Sequence, residues 1–282
     1  MSLAQGLSSQ WLSVSEPSSH VLHIQLSRKP VNAFSVEFWS AYGALFDRIA
    51  EEGRDVRAAV LSSAMPKIFT AGIDLGALVI GGDADSARNS LTLLPFIKGF
   101  QHAIGAPERC SFPVIVAVHG PVLGLGVDII SACDIRYASE TAQFSIKEVD
   151  VGLAADIGTL AYLPKITGNH SLMREFAYTA ATFSAADAER AGLVSRVIPG
   201  GPSEVVQAAL SLAAKIASKS PVAVTGTKRI LNHARDHSVP ENLDYTALWN
   251  SAAVYTEDIP ESLRAAKARG SARYQPLKKA KL

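Results

Sequence analysis

VIVAVHGPVLGLGVDIISACDIRYAS, residues 114–139, reads as a strand, a glycine turn, a helix and a second strand. The run Val114 to Val118 is continuously apolar and rich in β-branched side chains, which suits a strand covered on both faces. Gly120, Gly124 and Gly126 punctuate the turn, a helix begins near Val127, and IRYAS returns as a strand. That succession predicts an α/β fold with crossover helices. The same stretch places Asp128 where an apolar residue belongs, and Glu148 and Asp156 follow in FSIKEVDVGLAADIGTLAYLPK, residues 144–165. A lone ionised carboxylate is costly to bury, so such an acid is a cap, half of an ion pair or a working group. Three of them so close together favour work. Carboxyls in a dry cleft can hold one member protonated and another ionised, which moving a proton between two substrate carbons requires.

Outward from this stretch, residues 11–200 alternate short β-branched runs with amphipathic segments. VLHIQLS (21–27) and VRAAVLSS (56–63) read as strands. Between them Ser35 caps a helix whose Phe38, Tyr42, Leu45, Phe46 and Ile49 share one face, ending near Gly53. A polar stretch, GGDADSARNS, precedes a helix around Leu91 to Ile104, and AQFSIKE reads as a strand that ends at Glu148. Ser184 and Gly192 bound a further helix, SRVIP is a short strand, and helices fill the chain from Ser203 to about residue 269.

Several function classes are disfavoured. The 282 residues suit one large domain or one domain with a helical appendage. With 27 basic and 26 acidic residues the net charge is +1, which argues against nucleic-acid binding. Cys110 and Cys133 have no CxxC or Cys/His spacing, so both read as reduced core residues, and no metal site is expected. No apolar run reaches the roughly 18 residues of a membrane helix. There is no GxGxxG, GxxxxGK[ST] or GxSxG motif. His119 reads as a satisfied turn histidine.

Two turns share a design in which a strand ends, glycine turns the chain and a helix begins: Thr70 to Ile73 in LSSAMPKIFTAGIDL, and Gly120 to Gly126. Facing each other, their free backbone N–H groups would form an oxyanion hole; apart, they only turn the chain. Asp74 reads as a residue that orients the first turn. Asp128 and Asp156 read equally as helix caps, and Glu148 as a surface partner of Lys147.

FTAGIDL, VHGPVLGLGVDIISACDIRYAS, KEVDVGLAADIGTL and SPVAVTGTKRIL together resemble the crotonase (enoyl-CoA hydratase/isomerase) superfamily over most of the chain. Within it the acids are most similar to the pattern of the Δ3,5-Δ2,4-dienoyl-CoA isomerases: Asp at 128, where hydratases have Glu, Glu at 148 and an additional Asp at 156. The resemblance implies an α/β crotonase-like spiral of repeated ββα units over residues 1–200 and a C-terminal helical trimerisation region over 201–282. It also implies a homo-hexamer built as a dimer of trimers.

By the same carry-over Asp128, Glu148 and Asp156 are catalytic, and the backbone N–H groups of Ile73 and Leu125 form the oxyanion hole. The substrate is an acyl-CoA, whose CoA is no separate cofactor, and the reaction turns a 3,5-dienoyl-CoA into the 2,4-dienoyl-CoA of fatty acid β-oxidation. The rival readings are a 2-enoyl-CoA hydratase, a Δ3-Δ2-enoyl-CoA isomerase and a noncatalytic CoA-binding scaffold. Leucine at 125 departs from the glycine common in the family and would be strained if that position needs a positive φ. Arg28, Lys29, Lys67, Lys228 and Arg229 are candidate partners for the CoA phosphates, and residues 76–100 for the acyl-chain tunnel. Ala280-Lys281-Leu282 resembles a peroxisomal address read by the import receptor, with the cytosol as the fallback.

Overall fold

The computed structural model describes residues 2–77 and 85–277. Its strands are β1 (Leu12–Ser18), β2 (Val21–Leu26), β3 (Ala58–Ser63), β4 (Val114–Val118), β5 (Pro121–Leu123), β6 (Ile135–Ser139), β7 (Gln143–Ser145), β8 (Phe183–Ser184) and β9 (Arg196–Ile198). Its helices are α1 (Val36–Glu51), α2 (Ser86–Ile104), α3 (Ala106–Arg109), α4 (Leu125–Ser131), α5 (Thr159–Ile166), α6 (His170–Thr179) and α7 (Ala185–Ala191). Four more close the chain: α8 (Pro202–Ala217), α9 (Pro221–Asp236), α10 (Val239–Ala253) and α11 (Asp258–Lys267).

Six strands form one sheet in the order β1-β2-β3-β4-β6-β9, antiparallel only between β1 and β2, and a smaller sheet runs β5-β7-β8. The chain leaves a large-sheet strand, lays a short strand in the second layer, makes a helix and returns. β4-β5-α4 followed by β6-β7 is one such turn. Isolated bridges Phe34 to Ile73 and Thr70 to Val122 extend the second layer backwards to the first turn of the spiral. This is the spiral of repeated ββα units expected from the sequence.

Alternation along the strands splits the large sheet between two cores. Ala59, Leu61, Val114, Val116 and Val118 face the larger core with the α1 side chains Phe38, Tyr42, Leu45, Phe46 and Ile49. Ala58, Val60, Ile115 and Ala117 face the other, which α8 covers with Val205, Ala209, Ala213 and Ala217. That i, i+4 column of small residues lets the helix lie close to the strands. This second core therefore straddles residue 200.

Local signals explain most boundaries. The Ser35 side chain accepts from the Phe38 amide to start α1. Ser184 and Asp187 form a capping box on α7, and Gly192 closes it at φ 83°. The sequence reading misses β1, and it starts α2 too late: Asp85 caps it by accepting from the Arg88 amide. It also runs β7 too far, because the strand stops at Ser145 and Glu148 opens a 3-10 turn, Glu148–Val151. No described helix is long and apolar enough to cross a membrane.

Candidate active site

Two turns bring backbone donors together. In the first, Asn32 is buried; its side chain donates to Ser63 Oγ at 2.8 Å and to the Phe69 carbonyl at 2.9 Å. Thr70 Oγ1 donates to the Asn32 carbonyl at 2.7 Å and accepts from the Gly72 amide at 3.0 Å. Phe34 donates to Gly72 O and accepts from the Asp74 amide. In such a parallel bridge the N–H of the residue between, Ile73, points away from Phe34. Gly72 stands at φ 88°, and a Cβ there would lie 2.7 Å from Leu123 O and 3.5 Å from Leu125 N. Only glycine lets the first turn approach the second this closely.

In the second turn Gly124 carries the unusual backbone, φ 49° and ψ −116°. It donates to Ser145 O at 2.9 Å. Leu125 is then the first residue of α4 and has no positive φ, so the strain expected at this leucine does not arise: the glycine before it takes the left-handed turn. The amides of Ile73 and Leu125 have no acceptor among the described residues. That of Leu125 also sits at the positive end of its helix.

Asp128 lies one turn into α4, buried at 1% exposure. It does not cap its own helix. Its Oδ1 accepts from the Thr159 amide at 2.6 Å, which caps α5, whose N-cap Gly158 offers no side chain. Asp156 is therefore not the cap of α5 that its position in sequence suggests. Burial pushes the Asp128 carboxyl up to about 7, against the pull of the Thr159 amide and with added repulsion from Glu148.

Glu148 is half-buried. Lys147 does not pair with it but with Asp150, at 3.0 Å. Glu148 Oε2 is buried and has no hydrogen-bond partner among the described residues, while Oε1 lies 3.3 Å from where a Cβ on Gly124 would stand. Desolvation raises the carboxyl above its ordinary value, and the charge of Asp156 raises it further. Asp156 is exposed on the single chain, yet the protein around it also holds its carboxyl above the ordinary range. The Asp156 carbonyl accepts from Gln101 Nε2 at 2.6 Å, which ties this loop to α2. Asp128 repels Glu148 and Glu148 repels Asp156, so the three acids share one electrostatic neighbourhood. They adjoin an apolar surface, since Val149, Val151, Leu153 and Leu160 are exposed.

Other candidates sort differently. Lys228 is buried, ion-paired with Asp134 at 2.7 Å and bonded to the carbonyls of Pro107 and Phe112, so it braces the core and is not available to a phosphate. Arg28 is tied to Asp74 at 2.9 Å, which gives Asp74 its orienting role. Arg229 lies over the Trp249 ring at 5.3 Å. Lys29 and Lys67 are exposed. His119 Nε2 donates to Met65 O at 2.7 Å. Cys110 and Cys133 are unpaired. The tunnel segment 76–100 lies partly outside the described residues; within it α2 exposes Leu91, Leu93, Leu94 and Phe96. Sequence reasoning missed Thr159, whose contribution is a backbone amide, and named Gly124 only as a turn glycine without assigning it the left-handed conformation. Among the described residues no group of three or more His, Cys, Asp or Glu is disposed to hold a metal ion.

The family model described as Enoyl-CoA hydratase/isomerase matches residues 16–275. The chain is 48% identical over 260 residues to the Delta(3,5)-Delta(2,4)-dienoyl-CoA isomerase, mitochondrial, of Homo sapiens, covering 90% of this chain and 78% of that protein. It is 42% identical over 265 residues to the peroxisomal protein of that name from Arabidopsis thaliana, covering 92% and 94%. The crystal structure of an enoyl-CoA hydratase from Bacillus anthracis superposes with a TM-score of 0.84 at 27% identity, covering 94% of this chain and 99% of that one. The spiral, the paired turns and these similarities converge: the chain belongs to the enoyl-CoA hydratase/isomerase family.

Proposed function

We propose that this protein isomerises 3,5-dienoyl-CoA to 2,4-dienoyl-CoA in the β-oxidation of unsaturated fatty acids. The observation that carries this reading is three neighbouring acids, Asp128, Glu148 and Asp156, all held above the ordinary carboxylate range, beside two amides with no acceptor among the described residues. The named relatives at 48% and 42% identity support it.

In the proposed mechanism the thioester oxygen accepts from the Ile73 and Leu125 amides. This stabilises negative charge on that oxygen and acidifies C2. Glu148 removes the C2 proton, the C2–H pair enters the conjugated dienolate, and the double bonds move to C2=C3 and C4=C5 as Asp156 delivers a proton to C6. One carboxyl gains a proton and the other loses one; exchange with water through the exposed Asp156 restores both. Asp128 neither takes nor gives a proton here. It orients α5 through the Thr159 amide, and Glu148 repels its charged form. CoA is part of the substrate, and no separate cofactor enters.

Hydration of a 2-enoyl-CoA is the second reading, favoured by the hydratase of the same fold. Adding the protein to 3,5-dienoyl-CoA and to 2-enoyl-CoA separates the two. Rising conjugated-diene absorbance is expected with the first substrate, and rapid hydration of the second without diene formation would overturn the assignment.

The proposed hexamer is supported by α10 and α11, which expose the apolar side chains Val239, Leu243, Leu248, Ile259 and Leu263 for a neighbouring copy to cover. Light scattering tests it: six-fold mass is expected, and a monomer would contradict it. Ala280-Lys281-Leu282 lies outside the described residues. Its proposed reading as a peroxisomal address is supported by the name of the Arabidopsis thaliana relative and tested by deleting it and following a tagged copy in cells.

A further inference from the structure

Tyr162 stands three residues beyond Thr159 on α5. Its hydroxyl donates to Glu108 Oε2 at 2.5 Å, on α3. Glu108 Oε1 is held in turn by Arg235 Nη2 of α9 at 2.6 Å, and the Arg235 guanidinium lies over the Tyr162 ring at 5.4 Å. The same end of α9 grips its neighbours elsewhere: Asn232 donates to Glu108 O at 3.2 Å, and Lys165 of α5 reaches Asp236 at 3.5 Å. On its other side the Tyr162 ring presses on the start of α5. A Cβ on Gly158 would lie 3.0 Å from Tyr162 Cε2 and 3.7 Å from Asp128 Oδ1. Ring and carboxylate thus close on the same glycine, and the next residue, Thr159, gives the amide that holds Asp128.

We propose that Tyr162, clamped by Glu108 and Arg235, is a positioning residue that fixes the start of α5 and through the Thr159 amide sets the Asp128 carboxyl, so that α9 braces the acids from outside the site. Among the described residues the charged groups facing Tyr162 are Glu108, Arg109 and Arg235, and the one facing Asp128 is Glu148. A loosened clamp weakens the Thr159 hydrogen bond, which favours ionised Asp128, so Asp128 stays protonated to higher pH.

The test compares Tyr162→Phe, Glu108→Ala and Glu108→Gln with the wild-type protein, after melting curves have established that each is folded. Its kinetic arm rests on the isomerase reading. The second readout does not: it is the infrared band of the protonated Asp128 carboxyl, identified by its loss in Asp128→Asn and followed against pH. For Tyr162→Phe and Glu108→Ala the expected result is kcat lower by about tenfold, because small misplacement near reacting groups costs one to two orders of magnitude. KM should stay within about twofold, and the band should persist to higher pH. Glu108→Gln keeps an acceptor for the tyrosine and should recover to within about threefold of wild type. If Tyr162→Phe does not fold, the two Glu108 variants decide. Wild-type kcat and an unmoved band in folded Glu108→Ala would overturn the proposal, as would a change confined to KM or to melting temperature. Absence of diene isomerisation in the wild-type protein would sink the functional reading instead and leave the infrared comparison to decide this one.

Discussion

Replacing Asp128 with Asn should stabilise the protein, and more so as pH rises. The carboxyl is buried, and its titration moves from 3.8 to about 7 on folding. A carboxyl raised in this way costs the fold nothing below pH 3.8; the cost grows between 3.8 and 7 and levels off above. Linkage gives a cost of about 2 kcal/mol at pH 5 and about 4 kcal/mol at pH 8. Asparagine keeps the oxygen that accepts from the Thr159 amide at 2.6 Å and carries no charge at either pH. Urea unfolding of both proteins at pH 5 and pH 8 should therefore show the variant gaining roughly 2 to 3 kcal/mol more over wild type at the higher pH. The comparison removes groups that titrate alike in both proteins. An equal gap at the two pH values would mean that Asp128 is not the buried, proton-holding acid described above.

Leu125→Pro removes one proposed oxyanion donor at the first position of α4, where proline fits a helix, and should lower kcat about 10²- to 10³-fold; losing the buried leucine side chain should lower the melting temperature as well, so kcat is read on folded protein. Gly124→Ala forces a side chain onto φ 49° and 3.3 Å from Glu148 Oε1; it should cost upwards of about 1 kcal/mol in unfolding free energy and lower kcat as well. The pH profile of kcat/KM should be a bell displaced above the ordinary carboxylate range. Glu148 and Asp156 are both raised, so the base stays protonated, and the donor stays loaded, to higher pH than usual. The two limbs belong to the interacting acids as a set.

What the sequence disclosed follows from what is local. Ser35 and its apolar i, i+4 partners define α1 within a few residues of chain, and Ser184 with Gly192 bounds α7; their physics is contained in the segment itself. The acids stand out because a carboxyl amid glycine and aliphatic residues needs a reason. Their partners were not legible. Asp128 caps a helix that starts 31 residues later, a pairing made by the spiral and not by spacing. Lys228 looked like one of several surface cations and is buried against Asp134, 94 residues away. Glu148 looked like the end of a strand beside a lysine partner, but β7 stops at Ser145, and the short 3-10 turn leaves Lys147 with Asp150. The strain suspected at Leu125 belongs to a neighbouring glycine, because periodicity cannot say which residue of a turn takes the left-handed conformation.

Isomerisation of 3,5-dienoyl-CoA in deuterium oxide distinguishes two acids at the two ends of the diene from one group that carries a single proton between them. The exposed Asp156 exchanges with solvent, so the 2,4-dienoyl product should carry deuterium at C6, and Glu148→Gln and Asp156→Asn should each lower its rate of formation about 10²- to 10⁴-fold. A product that keeps the original C2 proton at C6, or variants that form it at the wild-type rate, would contradict the assignment of these two carboxyls.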